Sequence, residues 1–272
     1  MDIIRLLKKK DFLCFLIIPI LVNIVIYNLP NGIKGKFILE IKSPTLLAMY
    51  FSNFTHTDLS HLAVNMLLYA IYLTLAFSIM SDINRFRLFG LSAFLVVPFL
   101  SSSMLTKFYP VNGNALGFSG IVAALMGYYI YPLYEYLKKQ YMPELDLYRF
   151  VISVFAINIL IWSLFTPGIL IILLALFLLM ISGLHLIKDI KIFFIHYLAK
   201  YPDEQKMTQI KAVIRDSIYI SSAFAITLII PKNITISYGS INLLGHAIGY
   251  MYGLLLPLGF IGILTFLNMK KN

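Results

Sequence analysis

Residues 241–267 read INLLGHAIGYMYGLLLPLGFIGILTFL, a stretch without a single Lys, Arg, Asp or Glu. A helix needs roughly 20 apolar residues to cross a hydrocarbon core about 30 Å thick, and this run exceeds that length. Its one histidine, His246, sits near the start among glycines, where an incidental polar residue would be costly. Reading it as a membrane span decides the fold, because similar runs recur along the chain.

The further runs cover roughly residues 12–30, 60–81, 88–105, 117–136, 149–166, 168–187 and 217–231. The whole chain, 272 residues, is 60% hydrophobic and 12% charged. Its mean hydropathy is +0.86. A soluble domain carries about 25% charge, so that class is excluded. The pattern predicts an all-α polytopic transmembrane helical bundle of about eight spans, with 1–272 as a single membrane domain. Pro167-Gly168 joins spans five and six as a tight hairpin over 149–187. The connection 189–216 alternates charged and apolar residues, which predicts an amphipathic segment lying on the membrane surface. The first run lacks a small-residue cleavage site after it and is expected to be a retained span.

The net charge of +10 does not signal a nucleic-acid partner. The basic residues form short clusters between spans, such as Lys8 to Lys10, Arg85 with Arg87, and Lys138 with Lys139, rather than one continuous basic face. With an inside N-terminus and eight crossings, 17 of the 22 Lys and Arg fall on the inner side. That asymmetry predicts two cytoplasmic termini. The single cysteine, Cys14, excludes an intrachain disulfide.

All twelve carboxylates fall at span ends or in loops, which argues against a proton-coupled relay. His185 and His196 flank the inner surface, whereas His56, His61 and His246 belong to the outer half. Three constellations follow. His61 and Asn65 are one turn apart on one helix face, as two donors for an oxyanion or as a merely polar helix start capped by Asp58 or Ser60. Gly117-Phe118-Ser119-Gly120 opens span four after a turn-rich approach. Unpaired N–H groups there surround the serine, although Gly and Ser also serve simple helix packing. Helix rise places Ser119 about 8 to 12 Å below the outer boundary. Finally, His246, Gly249 and Gly253 share one face of the last span, as a general base on a close-packing helix or as a packing motif with an incidental histidine.

In this combination and order the three motifs resemble the rhomboid family of intramembrane serine proteases, over roughly residues 45–137 and 217–267. The likeness extends to His56, five residues before His61. The resemblance implies a six-helix core, over about 12–137 and 217–267, with the hairpin 149–187 inserted. It implies Ser119 as nucleophile, His246 as general base and then acid, and an oxyanion hole from the Ser119 N–H, His61 and Asn65. His56, Gly117, Gly120, Gly249 and Gly253 support the site. The implied substrates are transmembrane proteins, cleaved near the outer side of a cell membrane, with no cofactor or metal. Loop 232–241 would cap the site, and span seven would be the lateral gate.

Departures from the family are visible. Ala123 stands where many relatives carry a tyrosine beneath the histidine, the first-loop Trp-Arg pair is missing, and the stretch 30–58 is short. A catalytically silent relative that binds client helices is the nearest rival. A transporter or channel requires a polar path across the membrane, and a metalloprotease lacks His-Glu-x-x-His. Asn53-Phe-Thr55 and Asn233-Ile-Thr235 are outer-side sequons.

Overall fold

The computed structural model describes residues 10–108, 113–163, 172–174, 176–178, 180, 216, 219–224 and 239–269. Long helices dominate: α1 (Lys10–Tyr27), then a short α2 (Asn31–Lys34) and the two-residue strand β1 (Leu39–Glu40). There follow α3 (Leu46–Phe51), α4 (Leu59–Ile79), α5 (Ile83–Phe108), strand β2 (Asn114–Ala115), α6 (Ser119–Gln140), α7 (Leu147–Ser163) and α8 (Gly239–Met269). Helices α1, α4 and α5 are each long and apolar enough to cross a membrane. Most of spans six and seven, the connection 189–215, the loop 232–238, His185 and His196 lie outside the described residues.

Two compact units divide the chain: Met1–Ser78, Asp82–Tyr129 and Ile229–Asn272 in the first, Ile79–Ser81 and Ile130–Leu228 in the second. In the second unit, Asn158 of α7 donates its side-chain amide to the Ala223 carbonyl at 3.0 Å. The Tyr134 hydroxyl donates to the Leu145 carbonyl at 3.1 Å, and buried Asp216 accepts from Tyr136 and Tyr141.

Helix α6 carries five tyrosines, which keep it below the apolarity of the other spans. It does not need a lipid-facing surface, since every residue from Gly117 to Tyr134 is buried. Helix α5 starts at Ile83, five residues before the apolar run. Asp82 accounts for this by accepting from the N–H groups of Asn84 and Arg85 at the helix start, while Arg87 meets Asp11 of α1 through two hydrogen bonds of 2.8 and 2.9 Å.

Prolines inside the helices set up cross-helix bonds. Pro19 lacks an N–H, so the carbonyl of Phe15, four residues earlier, loses its intrahelical donor. The Tyr69 hydroxyl of α4 takes that place, donating to the Phe15 carbonyl at 2.6 Å. Phe15 also lies against Gly90 of α5, where an added Cβ would come 2.5 Å from its ring. Thus α1 is fixed to both α4 and α5.

The all-α expectation holds for the spans but missed one feature. β1 and β2 pair antiparallel, Leu39 opposite Ala115 and Glu40 opposite Asn114. This ties the first loop to the segment that leads into Ser119. Leu39, Ile41, Ala48, Leu105 and Ala115 close over it as a small buried cluster.

Tyr69→Phe leaves the Phe15 carbonyl without a donor among apolar side chains. The expected loss is about 1–3 kcal/mol of stability, read by unfolding of the purified protein in mixed micelles. An unchanged midpoint would show that the bond contributes nothing.

Candidate active site

The site forms where the start of α6 meets α8. Glycines bring the two backbones together: a Cβ at Gly249 would collide with the Gly120 carbonyl, one at Gly253 with the Ala124 carbonyl, and one at Gly127 with the Tyr250 carbonyl. One turn before Gly249, His246 then reaches the first residue of α6. Its Nε2 lies 2.6 Å from Ser119 Oγ, with the histidine 6% and the serine 8% exposed. With the imidazole neutral and protonated on Nδ1, Nε2 accepts the serine proton. In that form Ser119 Oγ has a hydrogen-bond acceptor beside it, and its own N–H, at the helix start, has no intrahelical acceptor.

The turn before the serine depends on Gly117. Its φ of +123° is one that side chains other than glycine rarely adopt. Its N–H donates to the Ser52 carbonyl of the first loop at 2.9 Å. A Cβ at this position would stand 3.1 Å from His61 Nε2 and 3.8 Å from Ser119 Oγ. The space beside Gly117 thus adjoins both the Ser119 hydroxyl oxygen and a ring nitrogen of His61.

His61 is set by the helix cap. Asp58 accepts from the His61 N–H at 2.8 Å and from the hydroxyls of Ser60 and Thr57. The Ser60 hydroxyl, the His61 N–H and then Thr57 hold the Asp58 carboxyl well below the usual carboxylate range. Of the two cap candidates, Asp58 fills the role.

Asn65, 3% exposed, points its amide at a second histidine rather than at the serine. Its Nδ2 donates to His56 Nε2 at 3.1 Å, and the Phe118 N–H approaches the same nitrogen at 3.4 Å. Two donors on Nε2 require it to be unprotonated. Nδ1 then holds the proton and faces the Phe54 carbonyl, which lies outside hydrogen-bonding geometry yet favours charge on the ring. Burial, reinforced by His61 at 5.0 Å between ring centroids, outweighs that carbonyl and pushes His56 down to about 4.

Sequence reading missed the polar wall on the other side of Ser119. Ser52, Asn53, Ser101 and Ser102 line a cavity with Gly117, Ser119, Gly120 and His246 that offers about 30 Å³ to the centres of water molecules. That is enough for about two waters. Asn53 donates to the carbonyls of Met49 and Pro98, and Ser101 donates to Asn53 Oδ1 at 3.3 Å. The available signal was the serine run 101–103 inside an apolar span. Asn53 is also the asparagine of the first sequon, and it is buried, 8% exposed, in the folded chain.

A buried serine thus meets a histidine where two helices pack backbone against backbone. The family model described as Rhomboid domain matches residues 44–188, more than half of the chain, and the chain belongs to the rhomboid family. The match takes in His56, His61, Asn65 and Ser119 and stops before His246, which joins the site through its contact with Ser119. No curated protein and no solved structure matches the chain.

Two outcomes test this geometry. Gly249→Ala forces the backbones of α6 and α8 apart and is expected to cost about 1–3 kcal/mol, whereas Gly259→Ala, where a Cβ meets nothing within 4 Å, does not lower the unfolding temperature. His56 binds its proton less readily when folded, about 4 against its ordinary 6.5, so its contribution is complete above pH 6.5 and is lost as pH falls through 4. The difference in unfolding free energy between wild type and His56→Gln should shrink by about 3 kcal/mol across that window. A difference independent of pH would contradict a neutral buried His56.

Proposed function

We propose that the chain is an intramembrane serine endopeptidase whose substrates are transmembrane proteins. The observation that carries the reading is the 2.6 Å contact between His246 Nε2 and Ser119 Oγ in a buried setting. His246 removes the hydroxyl proton as Oγ attacks the scissile carbonyl carbon. The carbonyl oxygen gains the negative charge, accepting from the Ser119 N–H, with His61 and Asn65 as side-chain donors beside it. His246 then hands the proton to the leaving amide nitrogen, and the C–N bond breaks. Water attacks the acyl-enzyme, again giving its proton to His246, and Ser119 is regenerated.

Asn65 has two amide hydrogens, and the bond to His56 uses one, so the second is available for the oxyanion. His56 orients that amide and stays neutral. The rest of the proposal is the arrangement of the chain in the membrane: a six-helix core with the hairpin 149–187 inserted, both termini cytoplasmic, and the site opening to the outer side of a cell membrane. Substrate helices then enter past span seven and are cut where they unwind near the outer surface.

A fluorophosphonate probe reads the activated serine directly. The detergent-purified wild type is expected to label, and Ser119→Ala and His246→Ala to lose labelling while keeping wild-type unfolding midpoints. A folded wild type that stays unlabelled would sink the protease reading in favour of a client-binding relative.

A further inference from the structure

Between α1 and α5 runs a groove of about 550 Å³, which shares no lining residue with the Ser119–His246 cavity and is unused by the mechanism. Such a volume falls within the range of about 300–1,000 Å³ found for small-ligand pockets. Ile18, 58% exposed, and Leu91, 60% exposed, stand on its two walls, both of which are membrane-spanning helices. Asp11 and Arg87 mark one end, and Phe54 with its first-loop neighbours marks the other. We propose that this groove holds one acyl chain of an anionic phospholipid whose headgroup lies at Arg87.

The dimensions favour a lipid chain. From Asp11 to Val22, α1 rises about 16 Å, close to half of a hydrocarbon core of about 30 Å. That is the reach of an acyl chain within one leaflet, with its polar end at a helix terminus. The open side faces the region that lipid occupies in any membrane-spanning protein, and the walls between the two ends are apolar apart from Cys14.

Charge selects the headgroup. Arg87 donates through Nε and Nη2 to Asp11 and through Nη1 to Asn84. A guanidinium has five N–H groups, so two remain for phosphate oxygens. Lys10, exposed beside Asp11, leaves the trio Lys10, Asp11 and Arg87 with one net positive charge. Asp11 thus aims the guanidinium without cancelling the rim. An acyl chain here would also support the serine loop: Phe54 packs its ring 5.7 Å from that of Phe118, the residue before Ser119.

The proposal rests on the chain spanning a membrane and not on its being a protease. Full-length protein is reconstituted in phosphatidylcholine vesicles doped with phosphatidylglycerol carrying a diazirine in its acyl chain, and the photoadducts are mapped by mass spectrometry. Adducts should concentrate on Ile18, Val22 and Phe94 over Val64 and Leu67, which α4 exposes elsewhere. The same diazirine chain on phosphatidylcholine should give about fivefold fewer groove adducts, the effect of one nearby cation. Arg87→Gln should erase that preference. Leu91→Trp, which keeps the ion pair, should deplete adducts at Ile18 by filling the groove. Adducts spread evenly over all exposed positions, or equal groove labelling with both headgroups, would overturn the proposal. So would loss of groove adducts on adding an excess transmembrane peptide, which would make the groove a helix-docking surface instead.

Discussion

The backbone contact between α6 and α8 sets the position of everything else in the site. Helices in a bilayer have little hydrophobic reason to associate, because lipid chains are as apolar as their own side chains. Association comes from close packing, and here carbonyls of α6 lie where the Cβ atoms of Gly249 and Gly253 would be. With the axes so near, a histidine one turn before Gly249 has only one place to extend: toward the first residue of α6. The short distance from His246 to Ser119 is therefore a consequence of glycine placement as much as of the two residues themselves.

The opposite problem, irregular backbone packed against the spans, is solved by side-chain hydrogen bonds. A spanning helix satisfies its own peptide groups, but a proline or a loop leaves carbonyls without donors. Tyr69 covers the Phe15 carbonyl, Asn53 those of Met49 and Pro98, and Ser102 the Met49 carbonyl as well at 2.7 Å. The first loop is held by these bonds together with the β1–β2 pair and the Gly117 bond to Ser52. A segment with little helix of its own thereby becomes a rigid wall for the serine loop.

This division explains what sequence could and could not reveal. Apolar runs located α1, α4, α5 and α8 because lipid imposes a composition on any surface it touches. The motifs single out Ser119, His246, His61 and Asn65, and the structure sets Ser119 against His246 and Asn65 against His56. Tyrosine-rich α6 also reads as an apolar run, at 117–136, although a buried helix escapes the lipid constraint. The ladder of Leu39 with Ala115, and the Asn53–Ser101 wall, are long-range pairings between residues with no local periodicity. The start of α5 was misplaced because Arg85 and Arg87 look like loop residues until Asp82 and Asp11 appear beside them.

On the proposed mechanism, the placement of all twelve carboxylates at span ends or in loops follows from the same physics. A third, charged member would remain ionised throughout the cycle in a setting where burying a charge is costly. A neutral pair carries no net charge at rest and separates charge only as the serine attacks. The groups that meet the developing oxyanion are then best supplied as fixed dipoles: the N–H at the start of α6, and side chains whose direction is set in advance. His56 fits that logic. Buried and held neutral, it fixes the Asn65 amide and the Phe118 N–H without adding a charge that would compete with the transition state. A charged residue in its place would orient the amide equally well, but its field would act through every step, including those in which the site must return to neutrality.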